Sequence, residues 1–359
     1  MQFISTDNLN SGDILGKTLY GNGGTVLLSA GTILHDAYID SLVQHGFSGV
    51  YIDSDFSQEV TICDVIDDGL RKEATDKIKD IFVKFDSGLA IISAQDLGNV
   101  RDMVDTVVDQ ILESRGSILN LVDLKSYDDY TFQHCVNVAV LSVSIGVAMG
   151  LPRIKLFNLG LAAIFHDIGK VKISLNILNK PGKLTDEEFT EIKKHSSYGY
   201  KITRNKFGLP TEVFVSILEH HEKYNGQGYP NGLAGEKILL PARIIAVADV
   251  YDAITSQRPY NKPMTPSDGY NFIMSNAYSH FDPNVVNAFV TKVAAYPLGT
   301  TVTLNNGAKG IVVENDKDYM LLPKIKLIPD GSDFCKGRAY VDLKNDLDAK
   351  NFIIIGVIK

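Results

Sequence analysis

The chain has few cysteines and no excess of basic residues. Cys63, Cys135 and Cys335 lie far apart without a CxxC pair, which argues against a disulfide framework and against a thiolate zinc site. The net charge of -8 and the pI near 5.5 argue against a broad electrostatic surface for nucleic acid polymers or anionic membranes. A phosphate ligand would therefore need metal ions or a local basic pocket.

The sequence also lacks a recognisable export or membrane segment. Its start, MQFISTDNLNSGD, has no basic region followed by an apolar core. The most apolar run, Val136 to Met149, is interrupted by Asn137, Ser142 and Ser144. We therefore predict a cytoplasmic protein without membrane insertion.

Turn signals divide the first 58 residues into short apolar runs. The runs Leu15 to Leu19 and Val26 to Leu28 flank the segment GNGG at 21–24, which predicts small antiparallel strands. One helix is predicted around His35 to His45, followed by a strand at Val50 to Ile52. These features indicate a small N-terminal unit.

The middle of the chain has helical spacing of apolar residues. Residues 60–122 predict two helices, and helical patterns continue over 131–294. Helix starts are predicted at Thr185, where TDEE has the pattern of a capping box, and at Thr211 after Pro210.

A different pattern follows Pro297. The Asn306-Gly307 pair predicts a turn between two strands. The apolar runs that predict strands lie at 301–304, 310–313, 320–322 and 352–355. They indicate a small β unit at the C-terminus.

These patterns predict a mainly α chain with small β-rich units at both ends. The predicted boundaries are 1–58 for an α/β regulatory domain, 59–122 for a helical linker region, 123–295 for the main helical domain and 296–359 for the β domain. The linker helices either join the helical bundle or form a dimer interface. The flanking units are predicted to regulate or to bind a signalling protein.

Five of the eight histidines lie between residues 134 and 221, and Asp167 and Asp249 belong to the same series. The histidines are His134, His166, His195, His220 and His221. The intervals of 32, 29, 25 and 28 residues between successive candidates each suit one helix and its connection, so that ligands can converge from successive helices. Imidazole and carboxylate ligands suit iron, manganese, zinc or similar ions. A carboxylate such as Asp167 can bridge two metals, the usual arrangement for phosphodiester hydrolysis.

Residues 131 to about 290 resemble the HD-GYP family of HD phosphohydrolases, whose characterised members degrade cyclic di-GMP. The resemblance rests on HDIGKVKISLNILNKPGKLTDEEFTEIKKH, HHEKYNGQGYPNGLAGEKI, ARIIAVADVYDAITSQRPY and FDPNVVNAF, which occur in family order and spacing. It implies that 123–295 is an HD-type helical bundle with catalytic function. It also implies metal ligation by His134, His166, Asp167, His195, His220, His221 and Asp249, with Asp167 as the bridging carboxylate.

Three positions depart from the family pattern. Tyr130 stands where members with three metals have a ligating glutamate, so the sequence predicts two divalent ions, iron or manganese. Asn225 replaces an aspartate common before the GYP sequence, and this change is expected to affect loop hydrogen bonds rather than catalysis. Asn261 replaces a basic residue that touches the ligand in many relatives, and Lys262 follows it.

Two further side chains are assigned catalytic roles beside Asp167. Lys170 is at i+4 from His166 and is therefore expected on the same helical face, and the resemblance favours it as the group that stabilises the departing 3'-oxygen. Asp252, at i+3 from Asp249, either orients a metal-bound water or only balances charge. A surface role for Lys170 is the alternative.

The segment GQGYP is either a plain turn or a substrate loop. As a substrate loop, Gly228 and Pro230 shape the backbone and Tyr229 offers a ring for base stacking. Arg258 lies where the family places a guanidinium that contacts the nucleotide, and Lys262 is assigned to the same substrate-binding set.

The predicted function is metal-dependent hydrolysis of cyclic di-GMP to linear pGpG, with further conversion to GMP left open. The expected attack is in line, by hydroxide formed at the two metals. Two alternatives stay open: hydrolysis of cyclic GMP-AMP or another nucleotide by the same ligands, and a non-catalytic sensor that binds cyclic dinucleotide. The missing-ligand pattern typical of such a sensor is absent from the sequence.

Overall fold

The computed structural model describes most of the chain. The residues outside the description are 22–24, 48, 55–56, 63, 87–92, 121–129, 257–262, 330–337, 350 and 359. The predicted GNGG turn therefore falls almost entirely outside the described residues, as do Cys63 and Cys335.

The N-terminal unit consists of short strands and one helix. Its elements are β1 (Gln2–Ser5), β2 (Ile14–Leu15), β3 (Leu19–Tyr20), β4 (Val26–Leu28), α1 (Asp36–Gln44) and β5 (Gly49–Asp53). β5 lies between β1 and β2 in an antiparallel sheet, and β3 pairs with β4. Leu15, Leu34, Phe47 and Val50 are buried in a small separate core. The predicted helix and the strand at 50–52 are confirmed.

Helices build the middle of the chain. They are α2 (Asp68–Asp86), α3 (Ala94–Glu113), α4 (Tyr130–Ala148), α5 (Arg153–Ile164), α6 (Leu175–Leu178), α7 (Asp186–Lys193), α8 (His195–Lys206), α9 (Thr211–Glu219), α10 (Leu240–Thr255), α11 (Pro266–Ser275) and α12 (Pro283–Val290). The two predicted helix starts are confirmed: Thr185 forms a capping box with Glu188, and α9 begins at Thr211 after Pro210.

Helix α4 forms the centre of this bundle. It packs against α2, α3, α5, α10 and α12 and is therefore apolar on nearly all sides. By length and composition alone, residues 131–148 would also fit a membrane span, but 72% of this stretch is buried inside the fold. The burial explains why a core helix has this composition.

The helices predicted as a linker belong to the same core. Ile78 and Phe82 of α2 and Val104 and Val108 of α3 are buried in one cluster with Val140 of α4. Of the two alternatives for residues 59–122, the structure therefore has the helices in the bundle. The domain boundaries themselves stay predictions.

The C-terminal unit is a five-stranded antiparallel sheet. Its strands are β6 (Thr301–Leu304), β7 (Lys309–Glu314), β8 (Lys324–Leu327), β9 (Tyr340–Asp342) and β10 (Ile354–Ile358), in the order β10-β6-β7-β8-β9. The strand predicted at 320–322 is wrong: these residues form a turn, and Met320 is buried against the helical core. β8 and β9 are strands that the apolar pattern did not predict.

Candidate metal centre

His134 lies on the buried central helix α4 and points to two aspartates of α10. Its Nε2 is 3.0 Å from Oδ1 of Asp249, and its Nδ1 is 2.6 Å from Oδ2 of Asp252. The side chain is almost completely buried. Contacts at both ring nitrogens therefore hold the His134 ring in position.

The HDIGK segment follows the end of α5 rather than continuing it. α5 ends at Ile164, and residues 168–172 form a 3-10 helix that packs on α8. A Cβ on Gly169 would lie 1.9 Å from the carbonyl oxygen of His195, so only glycine permits this approach. The expectation that Lys170 shares an α-helical face with His166 is therefore wrong, and Lys170 instead contacts Asp167, with Nζ 2.5 Å from Oδ2.

Three histidines are held in the same way by local backbone. Nδ1 of His166, His195 and His220 lies 2.7–2.8 Å from the carbonyl oxygen three residues earlier. A carbonyl can only accept, so Nδ1 carries the proton and Nε2 is left as the potential metal ligand. These local hydrogen bonds fix the tautomer that metal binding requires.

The adjacent His220 and His221 converge instead of diverging. α9 ends at Glu219, so both histidines follow the last helical turn, and their ring centroids are 4.0 Å apart. The His221 ring also lies 4.9 Å from the His195 ring. His195, His220 and His221 together can place one ligand atom each within 4.8 Å of the others.

Asp167 lies between two groups of histidines. Its Oδ2 is 3.3 Å from Nε2 of His166 and 4.0 Å from Nε2 of His134, whereas its Oδ1 is 3.5 Å from Nε2 of His195. The carboxylate therefore offers one oxygen to each group. This arrangement suits a bridging ligand.

Asp249 closes the cluster from α10. Its Oδ1 lies 3.0 Å from His134 Nε2 and 3.9 Å from His166 Nε2, and its Oδ2 lies 4.0 Å from Nδ1 of His221. The structure thus brings together all seven side chains that the sequence predicts as ligands. Two further sets can hold an ion, namely His134, His166 and Asp167, and His166, His220 and Asp249.

The cluster fits a metal centre by its chemistry. Nε2 of His166 is fully buried and has no hydrogen-bond partner of acceptable geometry among the described residues. A buried polar atom left in this way normally costs free energy, which an ion would remove by coordination. The donor set of imidazoles and carboxylates is that of first-row divalent ions.

The pKa values of the histidines suit ligation. Burial lowers the pKa of His195, lowers that of His220 well below its usual range and lowers that of His221 to about 3. These rings are therefore neutral near pH 7, as metal ligands must be. Burial also opposes protonation of His134, but the hydrogen bonds to Asp249 and Asp252 raise its pKa to about 9.

The two aspartates are ionised despite their burial. Burial disfavours the carboxylate of Asp167, but Lys170 and His166 hold its pKa well below the ordinary value. Burial acts likewise on Asp249, and the His134 hydrogen bond together with His166 holds its pKa well below the ordinary value. The centre therefore presents anionic oxygens to a cation.

Behind His134 lies a hydrogen-bonded network that sequence reasoning missed in part. Asn137 donates from Nδ2 to Oδ1 of Asp252 over 2.9 Å, and Arg71 of α2 donates to Oδ1 of Asn137 over 2.6 Å. Asp252 was predicted, but Asn137 appeared only as a polar interruption of an apolar run. Arg71 gave no signal because it precedes Asn137 by 66 residues.

The GYP loop lies against the histidines. The Tyr229 ring stacks on His221 with centroids 4.8 Å apart and an interplanar angle of 29°. Glu222, also missed, is buried and accepts the backbone N–H groups of Asn231 (2.6 Å) and Leu233 (3.0 Å). Its carboxylate therefore fixes the loop after Tyr229.

Backbone contacts explain two other loop positions. A Cβ on Gly228 would lie 2.2 Å from the nitrogen of Lys223, so the loop passes too close for any side chain. Oδ1 of Asn225 accepts the N–H of Gln227 over 3.0 Å, a hydrogen bond that an aspartate would also make, so this contact does not distinguish the two residues. The effect expected of Asn225 on loop hydrogen bonds stays a prediction, and Pro230 is exposed beside Tyr229.

Some predicted positions lie outside the described residues. Arg258, Asn261 and Lys262 fall in 257–262, and the side chain of Tyr130 is also outside the description, although its backbone begins α4. Their assigned roles stay predictions.

Residues 107–285 match the family model of the HD domain. This match, the helical fold and the histidine–aspartate cluster make the chain a member of the HD domain family. The predicted family and fold class are thereby confirmed. Over 80% of its length the fold also resembles an HDG"Y"P protein from Bdellovibrio bacteriovorus, of which it covers 97%, with a TM-score of 0.51 and 18% identity.

Two curated relatives are closer in sequence. A cyclic di-GMP phosphodiesterase of Pseudomonas aeruginosa is 41% identical over 234 residues, which cover 65% of this chain and 56% of the relative. A 3'3'-cGAMP-specific phosphodiesterase of Vibrio cholerae is 39% identical over 166 residues, which cover 46% of this chain and 38% of the relative. The chain thus matches little more than half the length of the first relative and less of the second.

Proposed function

We propose that the chain is a metal-dependent phosphodiesterase that hydrolyses cyclic di-GMP to linear pGpG. The observation that carries the proposal is Asp167, whose two oxygens face two separate histidine groups. A pair of ions bridged by a carboxylate is a common centre for hydrolysis of phosphoesters. The name of the Pseudomonas relative supports cyclic di-GMP as the substrate.

We propose two divalent ions, iron or manganese, as the cofactors. One would be held by His134, His166, Asp167 and Asp249, and the other by Asp167, His195, His220 and His221. When bound, the ions supply a hydroxide nucleophile near neutral pH and neutralise phosphoryl charge. Asp167 is then shared, and its ionised state at neutral pH suits that task.

The protein's own groups act around this centre. Lys170 contacts Asp167 and is about one-third exposed, so its ammonium lies at the edge of the buried cluster. There it can stabilise charge on the departing 3'-oxygen. Asp252 is buried and hydrogen-bonded to His134 and Asn137, which supports a role in positioning His134 rather than direct proton transfer.

The loop residues would contact the nucleotide. Tyr229 lies with one face on His221, so the rest of its partly exposed ring is available to the substrate. Nζ of Lys193 lies 5.7 Å from the centroid of the same ring and adds positive charge near the loop. Arg258 and Lys262 complete the proposed substrate set on the strength of the sequence alone.

The test is turnover by the purified chain loaded anaerobically with Fe(II) or, separately, with Mn(II). Cyclic di-GMP and 3'3'-cGAMP are compared as substrates, because one relative is named for the second compound. We expect pGpG from cyclic di-GMP at the higher kcat/KM, and no product from His166→Ala or Asp167→Ala. Metal-loaded protein that binds cyclic di-GMP without cleaving it would support the sensor alternative instead. A cytoplasmic location and a homodimer or protein partner through the flanking units stay predictions.

A further inference from the structure

We propose that Arg71 of α2 is a positioning residue for the metal ligand His134, and that it acts through Asn137 and Asp252. Four side chains form a continuous series of hydrogen bonds. Arg71 contacts Asn137 (2.6 Å), Asn137 contacts Asp252 (2.9 Å) and Asp252 contacts His134 (2.6 Å). The inference rests on the proposed metal centre, because it concerns how one of its ligands is oriented.

Arg71 and Asp252 together fix the orientation of the Asn137 amide. A guanidinium has only donors, so the amide of Asn137 must turn its oxygen toward Arg71. Its NH2 group then faces Asp252 and donates to Oδ1. Without Arg71, repulsion between the amide oxygen and the Asp252 carboxylate would still disfavour a flipped Asn137. The amide would, however, lose the contact that holds it from the other side.

The effect reaches His134 through Asp252. Asp252 is an acceptor at both oxygens, so Oδ2 requires a proton on Nδ1 of His134. That tautomer leaves Nε2 to face Asp249 and Asp167, at 3.0 Å and 4.0 Å. Asp252 thus sets the tautomer, and Arg71 holds the Asn137 amide that keeps Asp252 in position against His134.

The hydrogen-bonded side chains next to His134 are buried. His134, Asn137 and Asp252 are 3%, 6% and 5% exposed, so bulk water has little access to replace a missing partner. Hydrogen bonds in such surroundings are strong, and the loss of one partner leaves the other unsatisfied. Arg71 is only partly buried and reaches this interior from the outer helix α2.

The experiment is a Mn(II) titration of the full chain, with free Mn(II) followed by electron paramagnetic resonance. Wild type is compared with Arg71→Met and with Lys72→Met, a matched change of an exposed neighbour on α2. We expect Arg71→Met to weaken one of two binding steps about tenfold, as loss of an outer partner of a metal-ligating histidine typically does. The same step should disappear in His134→Ala, and Lys72→Met should match wild type.

A double-mutant cycle separates the proposed route from a general structural role. In the Asn137→Ala background, Arg71→Met should cause no further loss, because the connection is already broken. Arg71→Lys retains a donor, should keep a native circular dichroism spectrum and should bind Mn(II) more tightly than Arg71→Met. Equal weakening of both steps, additive losses in the cycle, or unchanged binding by Arg71→Met would overturn the proposal.

The outcome also separates this inference from the proposed function. A wild-type chain that binds two Mn(II) ions but is unaffected by Arg71→Met would overturn only the role of Arg71. A chain that binds Mn(II), responds to Arg71→Met and cleaves no cyclic dinucleotide would overturn only the proposed function. A wild-type chain that binds no Mn(II) would overturn both.

Discussion

Oδ2 of Asp252 lies 2.6 Å from Nδ1 of His134 in the buried interior of the helical bundle. We expect Asp252→Ala to weaken metal binding about tenfold to a hundredfold, because the His134 ring loses the contact that orients it. Isothermal titration with Mn(II) measures the change. Asp348→Ala, at an exposed position in the C-terminal unit, is the control, and an affinity for Mn(II) equal to wild type in Asp252→Ala would contradict this account.

The affinity for metal should depend on pH through His134. In the metal-free protein its pKa is about 9, above the ordinary value of 6.5, so below pH 9 the ring holds a proton that the ion must displace. Metal affinity should therefore rise about tenfold per pH unit toward pH 9 and level off above it. Titrations in buffers of different ionisation enthalpy should show release of about one proton from His134 per protein at pH 7.5, in addition to any proton lost by a metal-bound water.

We expect the proton of His134 to be the main one that the ligands release. His195, His220 and His221 have lowered pKa values and are already neutral at that pH. A flat affinity between pH 6.5 and pH 8.5, or a pH dependence that persists unchanged in His134→Ala, would contradict the assignment.

Gly169→Ala should damage the fold at the centre. The added Cβ would lie 1.9 Å from the backbone oxygen of His195, so the 3-10 helix and α8 would have to separate. We expect a loss of about 1–3 kcal/mol or more in the free energy of unfolding, together with weaker metal binding. Urea denaturation and metal analysis of the same samples measure both effects.

The matched control for that change is Gly98→Ala. Gly98 lies within α3, and an added Cβ would have no neighbour outside its own helix within 4 Å, so alanine should stabilise the helix by about 0.5–1 kcal/mol. Equal effects of the two substitutions would show that close packing at Gly169 is not the reason for its glycine.

Glu222→Ala should impair the substrate loop and leave the metal centre intact. The buried carboxylate accepts the N–H groups of Asn231 and Leu233, so its loss should loosen the loop that carries Tyr229. We expect KM for cyclic di-GMP to rise about tenfold or more, since a lost buried contact of this kind costs about 1–3 kcal/mol, while metal content stays near wild type. Steady-state kinetics and metal analysis test this, and loss of metal without a change in KM would contradict it.

The ligand set was predictable because its members are chemically distinctive and regularly spaced. Histidines are scarce in this chain, so His134 and His166 stand out, and each successive interval matches a helix with its connection. Asp167 and Asp249 accompany these histidines in the sequence, and the family resemblance implies that both are ligands. The structure adds that all seven side chains meet in one cluster, in which six are buried and His221 is partly exposed.

What the sequence did not reveal depends on tertiary contacts. Arg71 and Asn137 are ordinary helix residues until α2 packs beside α4, and no local pattern links positions so far apart. Met320 to Leu322 has the apolar character of a strand, but Met320 instead fills a place on the helical core. The sequence predicts that Lys170 shares a helical face with His166, whereas the close approach of Gly169 to α8 requires the tighter turn of a 3-10 helix.

Product identification from cyclic di-GMP, with a preparation of known metal content, tests whether this chain is a two-metal phosphodiesterase. We predict about two ions per chain and linear pGpG as the first product, with loss of metal and no product from Asp167→Ala because the shared carboxylate is lost. A wild-type chain that holds two ions and leaves cyclic di-GMP intact, or an Asp167→Ala variant that keeps full turnover, would contradict the account.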